Sequence, residues 1–483
     1  MNNPLSHLQP AALWRNFYTL TQIPRPSGHT EQIRRFLVDF GTNLGLETHT
    51  DQAGNILIRK PATAGMEAHK PVILQAHIDM VPQQNANIHH DFTREPLTVF
   101  IDGDWVRARD TTLGADNGIG MAAAMAVLES TDIAHPALEA LFTNDEETGM
   151  YGVFGLKKGF LQGETLLNLD SEEEGALFVG CAGGIDADVS FRFVPVAVPL
   201  GNVALKLTLG GLLGGHSGLD IHLERANANK LMARLLKTVV TRHKARLAML
   251  WGGSLRNAIP REAGAVIAVP ADSVQAAIDC LQELHKLLQQ EFEGIEKNIS
   301  LDMELVETPD TVLPEELQEK LIHALVAAPD GVYRHIPQMP RVVETSSNLA
   351  VIATDAGVIT IKYLLRSAVE SKKKELCSIL ESVYSLAGAQ VELRDGYPGW
   401  QPDFDSPVLV AMKTVYKELV GRQPKVEVIH AGLECGIIKQ QYPNLDTISF
   451  GPNIVHPHSP DEKVNIASVG RFWNYLVAAL GKI

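Results

Sequence analysis

Over the first 180 residues the spacing of apolar positions changes repeatedly, and each change marks an element. Residues 11–23 (AALWRNFYTLTQI) and 29–46 (HTEQIRRFLVDFGTNLGL) carry helical patterns, the second running into a glycine-leucine stop. Short apolar runs follow at 55–60 (NILIRK), 71–78 (PVILQAHI), 139–144 (EALFTN) and 165–170 (TLLNLD), each of strand length. The small-residue stretch 118–130 (GIGMAAAMAVLES) reads as a helix among them. Strands alternating with helices predict an α/β layer with a mostly parallel central sheet.

After GCAGG (180–184) the pattern shifts to period two in ADVSFRFVPVAV (187–198) and NVALKLTLGG (202–211). A helix over 224–243, two strands around 254–270 and a helix over 274–292 follow. A comparable set recurs at VITIKYLLRS (358–367), a helix within 369–388, and AQVELRDGY (389–397). This order predicts an inserted α+β domain with an antiparallel sheet covered by helices, built from two similar halves. The expected division is a first domain from 1–184 and 396–483, with the insert at 185–395 and the proline-rich PGWQPDFDSP as the return crossing.

The chain's 483 residues are too many for one ordinary core, and 45% hydrophobic with 20% charged residues is the composition of a soluble globular protein. A net charge of −15 leaves no basic stripe for nucleic acid. No apolar run reaches the roughly 20 residues that span a bilayer, and the first residues carry no secretory signal pattern. The four cysteines (Cys181, Cys280, Cys377, Cys435) are scattered, as expected for reduced thiols in the cytoplasm.

The candidate chemistry lies just after the apolar runs. His77 and Asp79 close one, Asp116 sits in TTLGADNGIG, Glu146 and Glu147 in ALFTNDEETG, Asp170 in TLLNLDSEEEG, and His456 and His458 in HPHSPDE. Imidazole and carboxylate without thiolate is the donor set of a hydrolytic two-metal centre, and its spread along the chain means that the fold assembles it. At the carboxyl ends of strands in an open α/β sheet such groups converge. Each has a plainer reading: a buried His77 satisfied by Asp79, Asp116 as a helix cap, DEE as a solvated turn. Glu172–Glu174 are expected to be solvated. In the insert, GGHSGLDIH carries His216 and His222, one of which is a candidate oxyanion donor, and Asn257 and Arg366 are candidates to hold a substrate carboxylate.

Six stretches, LQAHIDMVPQ, DTTLGADNGIGMA, FTNDEETGMYG, NLDSEEEG, GGHSGLDIH and GPNIVHPHSPDE, together resemble the cocatalytic-zinc family of dipeptidases, carboxypeptidases and aminoacylases over essentially the whole chain. The likeness is strongest to its branch that cleaves Xaa-His dipeptides. RDTTLGAD departs from the RGxxD-like run of many relatives, which is in keeping with that branch. The resemblance implies a zinc-peptidase catalytic domain with a lid, two Zn2+ (Co2+ or Mn2+ as substitutes), small dipeptides such as β-alanyl-histidine as substrates, and a cytoplasmic homodimer. It implies His77 and Asp170 on one metal, Glu147 and His458 on the other, Asp116 bridging both, and a cis peptide after it, Asp116–Asn117. It further implies that Asp79 orients His77, that Glu146 is the general base, and that His222 stabilises the oxyanion while Asn257 and Arg366 contact substrate. An N-acyl amino acid deacylase on the same metal site is the alternative.

Overall fold

A computed structural model of the chain describes residues 3–483, the side chain of Asp395 excepted. It resolves into two compact units. The first comprises residues up to Gly180 together with Pro402–Val428 and Leu433–Ile483; the second comprises Cys181–Gln401 and Ile429–Gly432. The expected cuts at 184/185 and 395/396 thus stand beside observed ones at 180/181 and 401/402, and the four-residue excursion 429–432 has no counterpart in the sequence reading.

The first unit is organised by an eight-stranded sheet. Its strands are β1 (Glu47–Thr50), β2 (Ile56–Lys60), β3 (Val72–His77), β4 (Leu138–Thr143), β5 (Thr165–Asn168), β6 (Ala176–Cys181), β7 (Lys425–Ile429) and β8 (Asp446–Ser449). They lie in the order β1-β2-β4-β3-β5-β8-β6-β7. The central four, β4-β3-β5-β8, run parallel, while β1, β2 and β6 pair antiparallel towards the edges. All residues of β3, β4 and β5 are buried, which is why these segments read as continuous apolar runs rather than alternating ones. Helix α1 (Ala11–Thr21) buries Leu13, Trp14, Phe17 and Leu20. Helix α2 (Ala115–Glu129) is buried from Asn117 to Leu128, and its run of alanine and glycine lets it lie close against α1 and β3. The parallel arrangement puts the carboxyl ends of β3, β4, β5 and β8 along one edge, so that whatever follows them is gathered there.

The second unit contains one antiparallel sheet of nine strands. From one edge the order is Ser300–Val306, Asn202–Gly210, Ala263–Pro270, Arg246–Gly252, Met339–Asp355, Val358–Ser367, Gly183–Arg192 and Gln390–Tyr397, with Gly331–Ile336 paired to Met339–Asp355. Along Asn202–Gly210, Leu205, Leu207 and Leu209 point inward while Thr208 is exposed. These leucines share a single core with helices Ala228–His243, Val274–Glu291, Glu315–Ala327 and Glu370–Leu386. The two sets of strands and helices read from the sequence therefore join in one sheet and one core.

Candidate metal centre

Each candidate group of the first unit arrives from the end of a parallel strand or the loop beyond it. His77 is the last residue of β3, Asp170 follows β5 by two residues, Glu146 and Glu147 follow β4, and His458 lies in the loop after β8. Asp116 sits at the start of α2, with φ −78° and ψ 110°, outside the helical range. It is no cap. No side chain caps this helix, and the Asp116–Asn117 peptide is cis.

The two carboxylate oxygens of Asp116 face two different histidines. Oδ1 is 2.8 Å from His77 Nε2 and Oδ2 is 3.2 Å from His458 Nε2. His77 Nε2 also lies 3.3 Å from Asp170 Oδ1, and His458 Nε2 lies 3.1 Å from Glu147 Oε2. Two triads result, His77–Asp116–Asp170 and Asp116–Glu147–His458, in each of which the donor atoms lie within 4.8 Å of one another. They share Asp116. A third grouping within the same limit is His77–Glu146–Glu147. His456 is exposed, and it is His458 that turns to the carboxylates.

Asp79 ties the centre together from beneath. Its carboxylate lies 3.4 Å from His77 Nδ1, accepts from Ser27 Oγ at 2.7 Å, and accepts the backbone N–H groups of Glu146 at 2.9 Å and Glu147 at 3.2 Å. One anion thus fixes an imidazole and the turn that carries two acids, the usual partner of a metal-binding histidine.

Five carboxylates face two imidazoles here, and the titration behaviour reflects the imbalance. Burial alone would lower the His77 pKa, but Asp170, Asp116 and Asp79 reverse this and hold it well above the ordinary value. Hydrogen bonds that the protonated ring donates to Asp116 and Glu147 push His458 up to about 11. Asp116 is held low: burial opposes its ionisation, and the two histidines more than compensate. Burial, only partly offset by His77, pushes Asp170 up to about 6. Glu146 is raised well above the usual carboxylate range by burial, with His77 opposing and Glu434, Asp170 and Glu147 adding to the shift.

Metal ligation fits this cluster. Glu147 Oε1 and Asp170 Oδ1 are buried without a hydrogen-bond partner, and the local excess of negative charge calls for cations rather than for further protein donors. The set of oxygen and imidazole donors, with no sulfur, suits zinc, cobalt or manganese.

Several groups escaped the sequence reading. The expectation that Glu172–Glu174 are solvated fails for two of the three. Glu172 is only partly exposed and is pushed up to about 9, first by burial and then by Asp116 and Asp170, while Glu174 makes a bidentate pair with Arg471. Glu434 is buried and accepts from Gln75 at 2.6 Å and Thr143 at 2.8 Å. The signal for Gln75 and Asn168 was available: each stands two residues before a candidate ligand, His77 or Asp170, and along extended chain shares its face.

The remaining candidates belong to the second unit. Arg366 is buried on Val358–Ser367, donates to the Tyr397 hydroxyl at 2.8 Å, and has an unpartnered Nε. His222 is exposed in a short 3-10 turn, and Asn257 is exposed in the turn before Ala258–Ile259. His216 accepts from the backbone of Gly218 and Leu219, and its pKa is lowered by burial and by Arg366.

A mixed α/β sheet with a carboxylate–imidazole cluster at the ends of its parallel strands defines a metallohydrolase. The chain belongs to peptidase family M20/M25/M40, whose model matches residues 73–482. It is a metallopeptidase. It is 47% identical over 479 residues, 99% of each chain, to the cytosol non-specific dipeptidase of Escherichia coli strain K12. The crystal structure of aminoacylhistidine dipeptidase from Vibrio alginolyticus superposes with a TM-score of 0.95 at 48% identity, over 99% of this chain and 97% of that one. Aminopeptidase PepT from Bacillus cereus shares the fold at a TM-score of 0.58 and 15% identity, over 98% of both chains.

Proposed function

We propose that this protein is a two-zinc dipeptidase that hydrolyses Xaa-His dipeptides. The observation that carries the reading is Asp116, whose two oxygens are each directed at a different histidine, one in each triad. In this reading His77 and Asp170 hold one cation, Glu147 and His458 the other, and Asp116 both. Bound there, the cations would supply Lewis acidity to the scissile carbonyl and to the attacking water. Glu146 takes the water's proton and returns it to the leaving amine. Burial raises its affinity for a proton, so that a proton taken from water can be held and passed on to the amine. Asp79 fixes the His77 ring. Arg366, with its free Nε–H, and Asn257 are proposed to bind the substrate carboxylate, and His222 to meet the oxyanion. The name of the Escherichia coli relative, a non-specific dipeptidase, supports dipeptides as the substrate class, and that of the Vibrio alginolyticus structure supports the preference for Xaa-His.

The test is release of free histidine from glycyl-histidine and β-alanyl-histidine by zinc-loaded protein. Glu146→Gln should lower kcat by about 10²–10⁴-fold while two metals per chain remain bound. Two bound metals with neither dipeptide cleaved, and N-acyl amino acids cleaved instead, would overturn the dipeptidase reading in favour of a deacylase.

A further inference from the structure

Asp116 can address two histidines only if its backbone is held in one place, and nothing on its own segment does this: Gly114 has φ +66° and the helix start has no side-chain cap. Two buried charges supply the hold from opposite sides. The Glu462 carboxylate accepts four consecutive amides, Leu113 N–H at 2.7 Å and Gly114 N–H at 2.9 Å on Oε2, Ala115 N–H at 2.7 Å and Asp116 N–H at 3.3 Å on Oε1. Arg25, fully buried, donates from Nη2 to the Gly114 carbonyl at 2.5 Å. From Nη1 it donates to the carbonyls of Ile78 at 3.0 Å and Asp79 at 2.9 Å. The anion thus grips the amides of residues 113–116, and the cation grips a carbonyl of the same segment.

These contacts join three pieces of chain distant in sequence. Arg25 links the exit of β3, which carries His77 and Asp79, to the segment before Asp116. Glu462 links that segment to the loop carrying His458 four residues upstream, a loop also tied down by Arg107 to Asp461 at 3.0 Å. No neutral pair could do the same work, because four amides converge on one group and three carbonyls on the other. A Cβ at Gly114 would stand 2.6 Å from Arg25 Nη2 and 2.8 Å from Met80 Sδ, so the segment is packed as closely as it is bonded.

We infer that Arg25 and Glu462 are positioning residues that set the spacing between the two triads by clamping the Asp116 segment between the His77 strand and the His458 loop. The inference rests on the reading of Asp116 as a shared ligand. Both side chains are buried.

The experiment replaces one group at a time in the full chain. Glu462→Gln keeps the shape but turns one acceptor into a donor facing two amides, and Arg25→Lys keeps the charge but loses the fork. Metal affinity is read by competition with a chromophoric chelator, coordination by the visible spectrum of the cobalt-substituted protein, and folding by circular dichroism. Glu462→Gln should bind the weaker metal about 10–100-fold less tightly, shift the cobalt bands, and lower kcat for glycyl-histidine by a similar factor with KM within about twofold. Arg25→Lys should do the same more mildly. Folded variants with wild-type metal affinity and cobalt spectrum would overturn the inference, whatever their activity. So would two variants that fail to fold even with saturating zinc, since the role would then be structural. Asp116→Asn serves as the control: if it too binds two metals normally, the two-metal reading itself is what fails.

Discussion

At His430 burial works directly against charge. The imidazole is buried in the second unit, lies 2.7 Å from Ser346 Oγ, and has its pKa pulled down from 6.5 to about 3, first by burial and then by Arg366, with His216 and His222 adding to the effect. The unfolded chain takes up a proton at this residue below pH 6.5, and the folded chain does so only near pH 3. The neutral ring therefore contributes its full stability above pH 6.5, and that contribution is lost as the pH falls from 6.5 towards 3. Between pH 7 and pH 5 the loss from this one group should be about 2 kcal/mol. Urea unfolding of His430→Gln beside wild type should show a stability gap that narrows by that amount on acidification. A gap independent of pH would mean that His430 titrates alike in the folded and unfolded chains, and burial would then not hold the ring neutral.

At the level of elements, the site depends on how closely strand ends approach. Gly451, just past β8, lies against the backbone of Ser171, just past Asp170: a Cβ there would stand 1.7 Å from the Ser171 carbonyl oxygen. The same two loops are joined by Ser171 and Ser449 hydroxyls at 2.6 Å and by the Phe450 amide donating to Asn168 at 3.1 Å. Gly451→Ala must part the ends of β5 and β8. It should destabilise the protein by about 3 kcal/mol and weaken metal binding with it, as measured by denaturant unfolding and metal titration. An alanine variant with wild-type values of both would show that the loops are free to move.

Elements also mark the limit of what the sequence disclosed. The strands of the parallel sheet were legible because burial on both faces leaves them uniformly apolar, and the residues that follow them could be named because nothing apolar explains a histidine or aspartate in such a place. The long strand Met339–Asp355 was not legible. Its middle, Thr345–Asn348, is polar and yet fully buried, held by Thr345 to Ser367 and by Asn348 to backbone carbonyls, so neither hydropathy nor period two announces it. Arg25 and Glu462 were hidden for a related reason: their partners are backbone groups, which every residue carries and no motif records.

For the whole molecule, the first unit is drawn from three stretches of chain, and cations bound, as proposed, by five side chains from across it should contribute to its stability. Removal of metal by a chelator should abolish activity and lower the melting temperature by several degrees, with both restored by zinc; binding at 100 times Kd corresponds to about 2.7 kcal/mol. An unchanged melting temperature after complete metal removal would show that the cluster is held rigid by its protein contacts alone. The four residues 429–432 that fall with the second unit were invisible in the sequence, since so short an excursion carries no pattern of its own.

The order of these stretches has a consequence for synthesis. The ribosome delivers His77, Asp116, Glu147 and Asp170 early, but His458 and Glu462 only after the entire second unit has been made. A nascent chain can build most of the sheet while its hydrolytic centre stays open on one side. If His458 and Glu462 serve the centre as proposed, competence arrives only with residues 458–462, and a chain that stalls or is clipped before them should be inert rather than a stray peptidase.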